Sequence, residues 1–211
     1  MKLAHWTTSI AGTVLAFTVT AVSAALSTDD VTFNGNASDA FYGPASIGSQ
    51  SPDAIENFAN DITISGKGKN QIVIQGDDPL WGGGWSFLLR DDKDSGSVFA
   101  NYSGFSFTLA AANNQNGQPD PAAWTLTVAD LTPNSGLSIP FEMDFLVYMH
   151  GGNNGAYYFF DDREISAYNA GTFQITFKNG GGNFPGLSGL SLLVRDLRDI
   201  PTTQPPAEVD I

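Results

Sequence analysis

The chain has 211 residues, of which 42% are hydrophobic, 12% aromatic and 15% charged, with no cysteine. Charged residues normally make up about 25% of a domain, so Asn, Ser, Thr, Gln and Gly must supply much of this surface. Nine Lys and Arg against 22 Asp and Glu give a formal charge of −13, which repels nucleic acid phosphates and anionic membranes and favours cations and neutral ligands. Without cysteine there is no disulfide framework, thiolate-ligated metal or thiol nucleophile.

The chain begins like an export signal. Lys2 is a minimal positive start, Ile10 to Val22 is apolar, and Val22-Ser23-Ala24 places small residues where a signal peptidase cuts. The apolar run is shorter than the ~20 residues of a spanning helix, and no later run reaches that length. Residues 1–24 therefore read as a cleaved signal peptide, 25–200 as one domain, and Pro-rich 201–211 as a disordered tail. This predicts secretion to the extracellular space or cell surface, with no membrane span after cleavage.

The domain reads as short period-two segments between turns. Ser51, Pro52, Asp53 and Glu56 predict one short helix over 52–59, with Ser51 as N-cap. Ile62-Thr63-Ile64 and Ile72-Val73-Ile74 are β-branched and flank a Gly/Lys turn, which predicts a hairpin. Alternation then predicts strands carrying Trp85, Phe87 and Leu89; Phe105, Phe107 and Leu109; and Trp124, Leu126 and Val128. It continues with Met143, Phe145, Val147 and Met149; Tyr157 and Phe159; Phe173, Ile175 and Phe177; and Leu190, Leu192 and Val194. Nine or ten such strands, with almost no helical stripe, predict an all-β fold: a single antiparallel β-sandwich of jelly-roll type.

Gly82–Gly84, Gly151–Gly155 and Asn179–Asn183 are Gly/Asn connections, read first as tight turns and second as ligand loops. Calcium takes carboxylate and carbonyl oxygens, and adjacent aspartates stand at strand ends. Asp91, Asp92 and Asp94 are the first candidate ligands, on a partial D-x-D pattern, and Asp161 and Asp162 the second. Paired aspartates also serve as turn formers. Exposed aromatic rings can stack on sugar faces, and Trp81, Tyr148, Tyr157 and Tyr158 are the candidates beside Gly and Asn. Trp85 and Trp124 begin apolar strands and are expected inside. Tyr157/Phe159 and Tyr158/Phe160 make that segment apolar on both faces, so one set must be exposed, covered by a loop or used at an interface.

The order AFYGPASIGSQSPDAIENF (40–58), WGGGWSFLLRDDKDSG (81–96), AAWTLTVAD (122–130), FLVYMHGGNNGAYYFFDD (145–162) and GTFQITFKNGGGNFPGLSGLSLLVRDL (171–197) resembles exported bacterial PEP-CTERM proteins. In that family a secreted β-rich domain precedes Pro-Glu-Pro, a hydrophobic helix and a basic tail, which an exosortase-type system processes in exopolysaccharide-making bacteria. The stretch after Arg198, DIPTTQPPAEVDI, carries no such helix or basic cluster. The resemblance thus implies a freely secreted relative, or one held by another partner, in a matrix or biofilm setting. It implies no catalytic residues.

Little points to catalysis. After signal removal His150 is the sole histidine, no G-x-S-x-G elbow is present, and His150 reads as a solvated turn residue. Glycoside cleavage needs two carboxyls on one cleft, which leaves Glu142 and Glu164 with aspartate partners. Two functional readings stand. One is a non-enzymatic matrix protein associating with polysaccharide or with itself; the other is a carbohydrate-binding or carbohydrate-active module of hydrolase or lyase type, with or without calcium.

Overall fold

The computed structural model describes residues 25–65, 83–93, 95–113, 121–133 and 136–200. The signal segment, Ile72 to Ile74, Trp81, Asp94 and the 201–211 tail lie outside them. After a 3-10 turn at Thr28–Asp30, the described residues form eleven strands and one α-helix, in this order: β1 (Thr32–Phe33), β2 (Asn36–Ala37), β3 (Ala40–Ala45), α1 (Pro52–Ser65), β4 (Ser86–Asp92) and β5 (Ser97–Tyr102). Next come β6 (Phe105–Ala111), β7 (Ala122–Asp130), β8 (Phe141–Gly151), β9 (Asn154–Ile165), β10 (Tyr168–Phe173) and β11 (Gly189–Arg198). All named pairings are antiparallel, as a sandwich requires. One sheet has the order β3-β9-β8-β11-β4, the other β10-β7-β6-β5, and β1 pairs with β2. No helix of the described residues is long and apolar enough to cross a membrane.

The inward phases of both sheets form one core. Phe105, Phe107 and Leu109 of β6 and Trp124, Leu126 and Val128 of β7 meet Phe145, Val147, Tyr158, Phe160, Leu192 and Val194 from the five-stranded sheet. Burying a large side chain contributes about 1.5–3 kcal/mol, so this alternation is the main specification of the fold. A second cluster lies on the other face of the five-stranded sheet. There Leu146, Tyr148, Tyr157, Phe159 and Leu193 pack with Trp85 and with Ile55 and Ala59 of α1. The doubly apolar β9 segment is therefore sandwiched between the opposing sheet and the helix.

Three local expectations are corrected. The strand expected to carry Phe173, Ile175 and Phe177 ends at Phe173, and Ile175 and Phe177 are buried beyond it in irregular chain. Ile62-Thr63-Ile64 is the last part of α1, not a hairpin strand. Strand preference is a weak prior, and the 55, 59, 62 spacing of apolar residues continues a helical period. At its start, Ser51 caps the helix as expected, its hydroxyl accepting from Ala54 N–H at 3.3 Å. In β4, Trp85, Phe87 and Leu89 do not share a face. Leu192 pairs with Leu89 but Leu193 with Phe87, so Leu88 is an inserted residue. That bulge turns Trp85 and Phe87 toward the helix and leaves Leu88 and Leu89 between the sheets.

Candidate functional site

Three surface regions carry polar chemistry, and they differ in charge. The first is the outer face of the four-stranded sheet. Alternation turns Ser97, Phe99 and Asn101 outward on β5, Ser106, Thr108 and Ala110 on β6, and Ala123, Thr125, Thr127 and Ala129 on β7. Tyr168, Ala170 and Thr172 complete it on β10. The register aligns Phe99, Thr108, Thr127 and Tyr168 in one row across all four strands. Phe99 is 77% exposed and Tyr168 64%, and three strand spacings of ~4.8 Å put them about 14 Å apart. Beside this row, Gly96, Ser97, Ala110, Ala112, Ala123 and Thr125 line a shallow groove of about 400 Å³. Small side chains leave the depression. None of the outward residues is charged, although the chain carries −13.

The second region joins two of the Gly/Asn loops. Gly152, in the β8–β9 turn, faces Asn179, Asn183, Phe184, Pro185, Gly186 and Ser188 across a cleft of about 530 Å³. Asn179 Oδ1 accepts from Gly181 N–H at 3.0 Å and Asn183 N–H at 3.1 Å, which folds the loop on itself. Ser188 N–H donates to His150 O at 2.8 Å, and Asn154 Nδ2 donates to Lys178 O at 3.1 Å, tying the loop to both strands. A Cβ on Gly151 would stand 2.9 Å from Pro185 Cγ, so only glycine allows this close approach.

The third region is charged. Strands β9 and β11 each carry an extra residue beside Asp144: Met143 pairs with Arg163 but Phe145 with Phe160, and Arg195 pairs with Asp144 but Arg198 with Glu142. Asp162 and Asp196 take left-handed φ values of 48° and 51° there, a conformation Asp tolerates. The double bulge gathers carboxylate oxygens of Asp144, Asp161 and Asp162 within 4.8 Å of one another. Asp144 Oδ1 accepts from Asp162 N–H at 3.1 Å and Arg198 at 3.0 Å, and its Oδ2 accepts from Arg195 at 3.2 Å. Arg198 also pairs with Asp162 and, at 3.5 Å, with Glu142. Both Asp144 oxygens are thus held by guanidinium groups, and the cluster works as an ion-pair network rather than as an open cation cage.

The expected site residues fall as follows. Asp161 and Asp162 come together with Asp144, a partner not singled out in the sequence. Asp91 and Asp92 diverge: Asp91 turns inward and accepts Ala111 N–H at 2.7 Å, while Asp92 pairs with Arg90 on the other face. Burial pushes the Asp91 carboxyl above its ordinary range, with Ala111 N–H opposing the rise. Tyr148, Tyr157 and Tyr158 are fully buried and offer no stacking face. Tyr148 donates to Gln50 Oε1 at 3.0 Å, Tyr157 to Ile55 O at 3.2 Å and Tyr158 to Asp30 Oδ2 at 3.2 Å. The covering helix and the segment before it, together with the opposing sheet, are the reason. Burial raises all three hydroxyls, Tyr148 to about 12.

His150 is also buried, not a solvated turn residue, and burial and then Arg90 lower its pKa. Glu142 and Glu164 face each other directly across β8 and β9. A cleft of about 290 Å³ holds Glu164 with Asp162, Arg163, Asn34 and Asn36. A general acid needs a carboxyl desolvated in an apolar pocket, whereas Asp162 and Glu164 are exposed. Phe99 and Tyr168 were missed. The available signal was a ring on the polar phase of an alternating strand, as in Ser97-Val98-Phe99-Ala100-Asn101.

No family model, curated protein or solved structure matches this chain.

Proposed function

We propose that this is a non-enzymatic, secreted protein of a bacterial exopolysaccharide or biofilm matrix, and that the outer face of the four-stranded sheet holds a neutral stretch of polysaccharide. The observation that carries this reading is the uncharged row Phe99–Thr108–Thr127–Tyr168 on a chain of charge −13. Sugar rings present C–H faces to aromatic rings and hydroxyls to Thr, Ser and Asn, and a neutral glycan suffers no repulsion from the acidic surface. The row extends about 14 Å across four strands beside an open groove, which suits a chain rather than a single small molecule. The signal-like start and the PEP-CTERM-like order of segments supply the compartment and the setting.

The test is affinity electrophoresis and calorimetry against neutral matrix polysaccharides, with Phe99→Ala and Tyr168→Ala variants. The expected result is retardation by a neutral glycan that the double variant loses. Cleavage of the polysaccharide would replace the non-enzymatic reading. Concentration-dependent dimerisation abolished by the double variant, with no glycan retardation, would assign the face to a second copy of the chain.

A further inference from the structure

We propose that the cleft between Gly152 and the 178–188 loop binds a carboxylate-bearing sugar unit, with Lys178 as its charge partner. The inference deepens the glycan reading by naming a second site and a second ligand chemistry. It starts from the disposition of cations in an acidic chain. Among the described residues, Arg90 pairs with Asp92, Arg163 with Asp39, Arg195 with Asp144, and Arg198 with Asp144 and Glu142. Lys93 and Lys178 make no ion pair among them; Lys93 is exposed and touches the cleft through its backbone, its N–H donating to Ser188 O at 3.1 Å. The Lys178 ammonium lies instead over the ring of Phe184, 5.5 Å from the centroid, and Phe184 is part of the cleft wall.

The rest of the cleft suits a sugar. Phe184 is half-buried and offers ring surface, while Asn183 and Ser188 supply polar side chains. The loop is held by the double acceptor role of Asn179 and by the Ser188–His150 bond, so little ordering remains to be done on binding. A neutral sugar would leave the ammonium without a counter-charge. A uronic acid brings a carboxylate to it while its ring rests on Phe184, and hydrogen bonds to charged groups are roughly twice as strong as neutral ones. The protein's net negative field is screened over about 10 Å at 0.1 M salt, so the nearby lysine governs the encounter.

The experiment is a ¹H–¹⁵N titration of the purified chain with a short oligogalacturonide, run beside its carboxyl-reduced neutral counterpart. The acid form is expected to shift the amides of Gly152, Asn183, Gly186 and Ser188, and to bind about tenfold tighter there than the reduced form. Lys178→Gln should remove that advantage and Lys178→Arg should retain it, with unchanged melting temperatures in both. The Phe99→Ala, Tyr168→Ala double variant should leave these shifts intact, which separates this site from the sheet face. Equal binding of both forms, indifference to Lys178→Gln, or shifts confined to the sheet face would overturn the proposal without touching the sheet-face reading. Matching shifts from acetate alone would overturn the sugar assignment.

Discussion

Phe99 and Tyr168 stand at opposite edges of one cross-strand row, linked by Thr108 and Thr127. Their rings face away from the core, so truncating them removes contact surface without opening a cavity. Phe99→Ala and Tyr168→Ala should each change unfolding free energy by no more than about 0.5 kcal/mol. Phe107→Ala, in the core of the same sheet, should cost about 3–5 kcal/mol. Urea titrations of the three variants check this, and a large loss in the first two would mean that the rings pack rather than project.

Asp144 is the hub of the charged network, and its side chain is 6% exposed. Asp144→Ala leaves Arg195, itself nearly buried, without its inner carboxylate, at a cost of about 3 kcal/mol. Asp162→Asn removes the charge of a largely exposed partner, keeps a side chain suited to the left-handed backbone, and should cost under about 1 kcal/mol. Because arginines occupy both Asp144 oxygens, chelator or added calcium should leave the melting temperature unchanged. A calcium-dependent rise that Asp144→Asn abolishes would instead make the cluster a cation site.

His150 gives stability a pH dependence of known sign. Among the described residues its Nδ1 is buried without a partner, and burial, reinforced by Arg90 and opposed by the Gly152 backbone, lowers its folded pKa below the ordinary 6.5. Above that value both states are neutral and nothing is lost. As pH falls through it the unfolded chain takes up the proton first, so stability declines until the folded pKa is reached. Asp30 and Asp91 act oppositely, because burial raises both: their effect favours the fold at low pH and fades as pH rises from about 3.8. His150→Gln should flatten the unfolding free energy between pH 7.5 and 5.5, as measured by urea titration at about those two values. An unchanged slope would show that His150 charges in the folded state.

The sandwich was legible because alternation survives in single residues: Trp124, Leu126 and Val128 point inward as their spacing required. Period alone does not say what covers a face, which is why Tyr148 and Tyr157 read as platform candidates although α1 and the segment before it lie over them. Nor does it register an inserted residue. The bulge at Leu88 splits the Trp85/Phe87/Leu89 set, and the bulges beside Asp144 create a three-carboxylate cluster that sequence spacing only half contained. The uncharged outer face of the four-stranded sheet was the opposite case. Its signal is a lack of charge across four separated segments, which becomes visible only once the register joins them.

Gly171 offers the sharpest test of how β1 docks beside β10. It lies opposite Trp124, whose Nε1 crosses it to donate to Thr32 O at 3.0 Å. A Cβ at this position would collide with both the Thr32 carbonyl oxygen and the indole. The backbone oxygen cannot rotate away, so Gly171→Ala must either lift Thr32 from β10 or push Trp124 out of the core. Overpacking of this kind costs about 1–3 kcal/mol, and in a chain of this size each kcal/mol lowers the melting temperature by about 2–4 °C. Gly48→Ala is the control, since its Cβ would meet nothing within 4 Å. The Gly171 variant should melt several degrees lower, with a changed near-ultraviolet signal from Trp124, and should bind neutral glycan less well because Tyr168 shares the displaced strand. Parental melting and an unchanged indole signal would show that Trp124 does not cross Gly171 to reach Thr32.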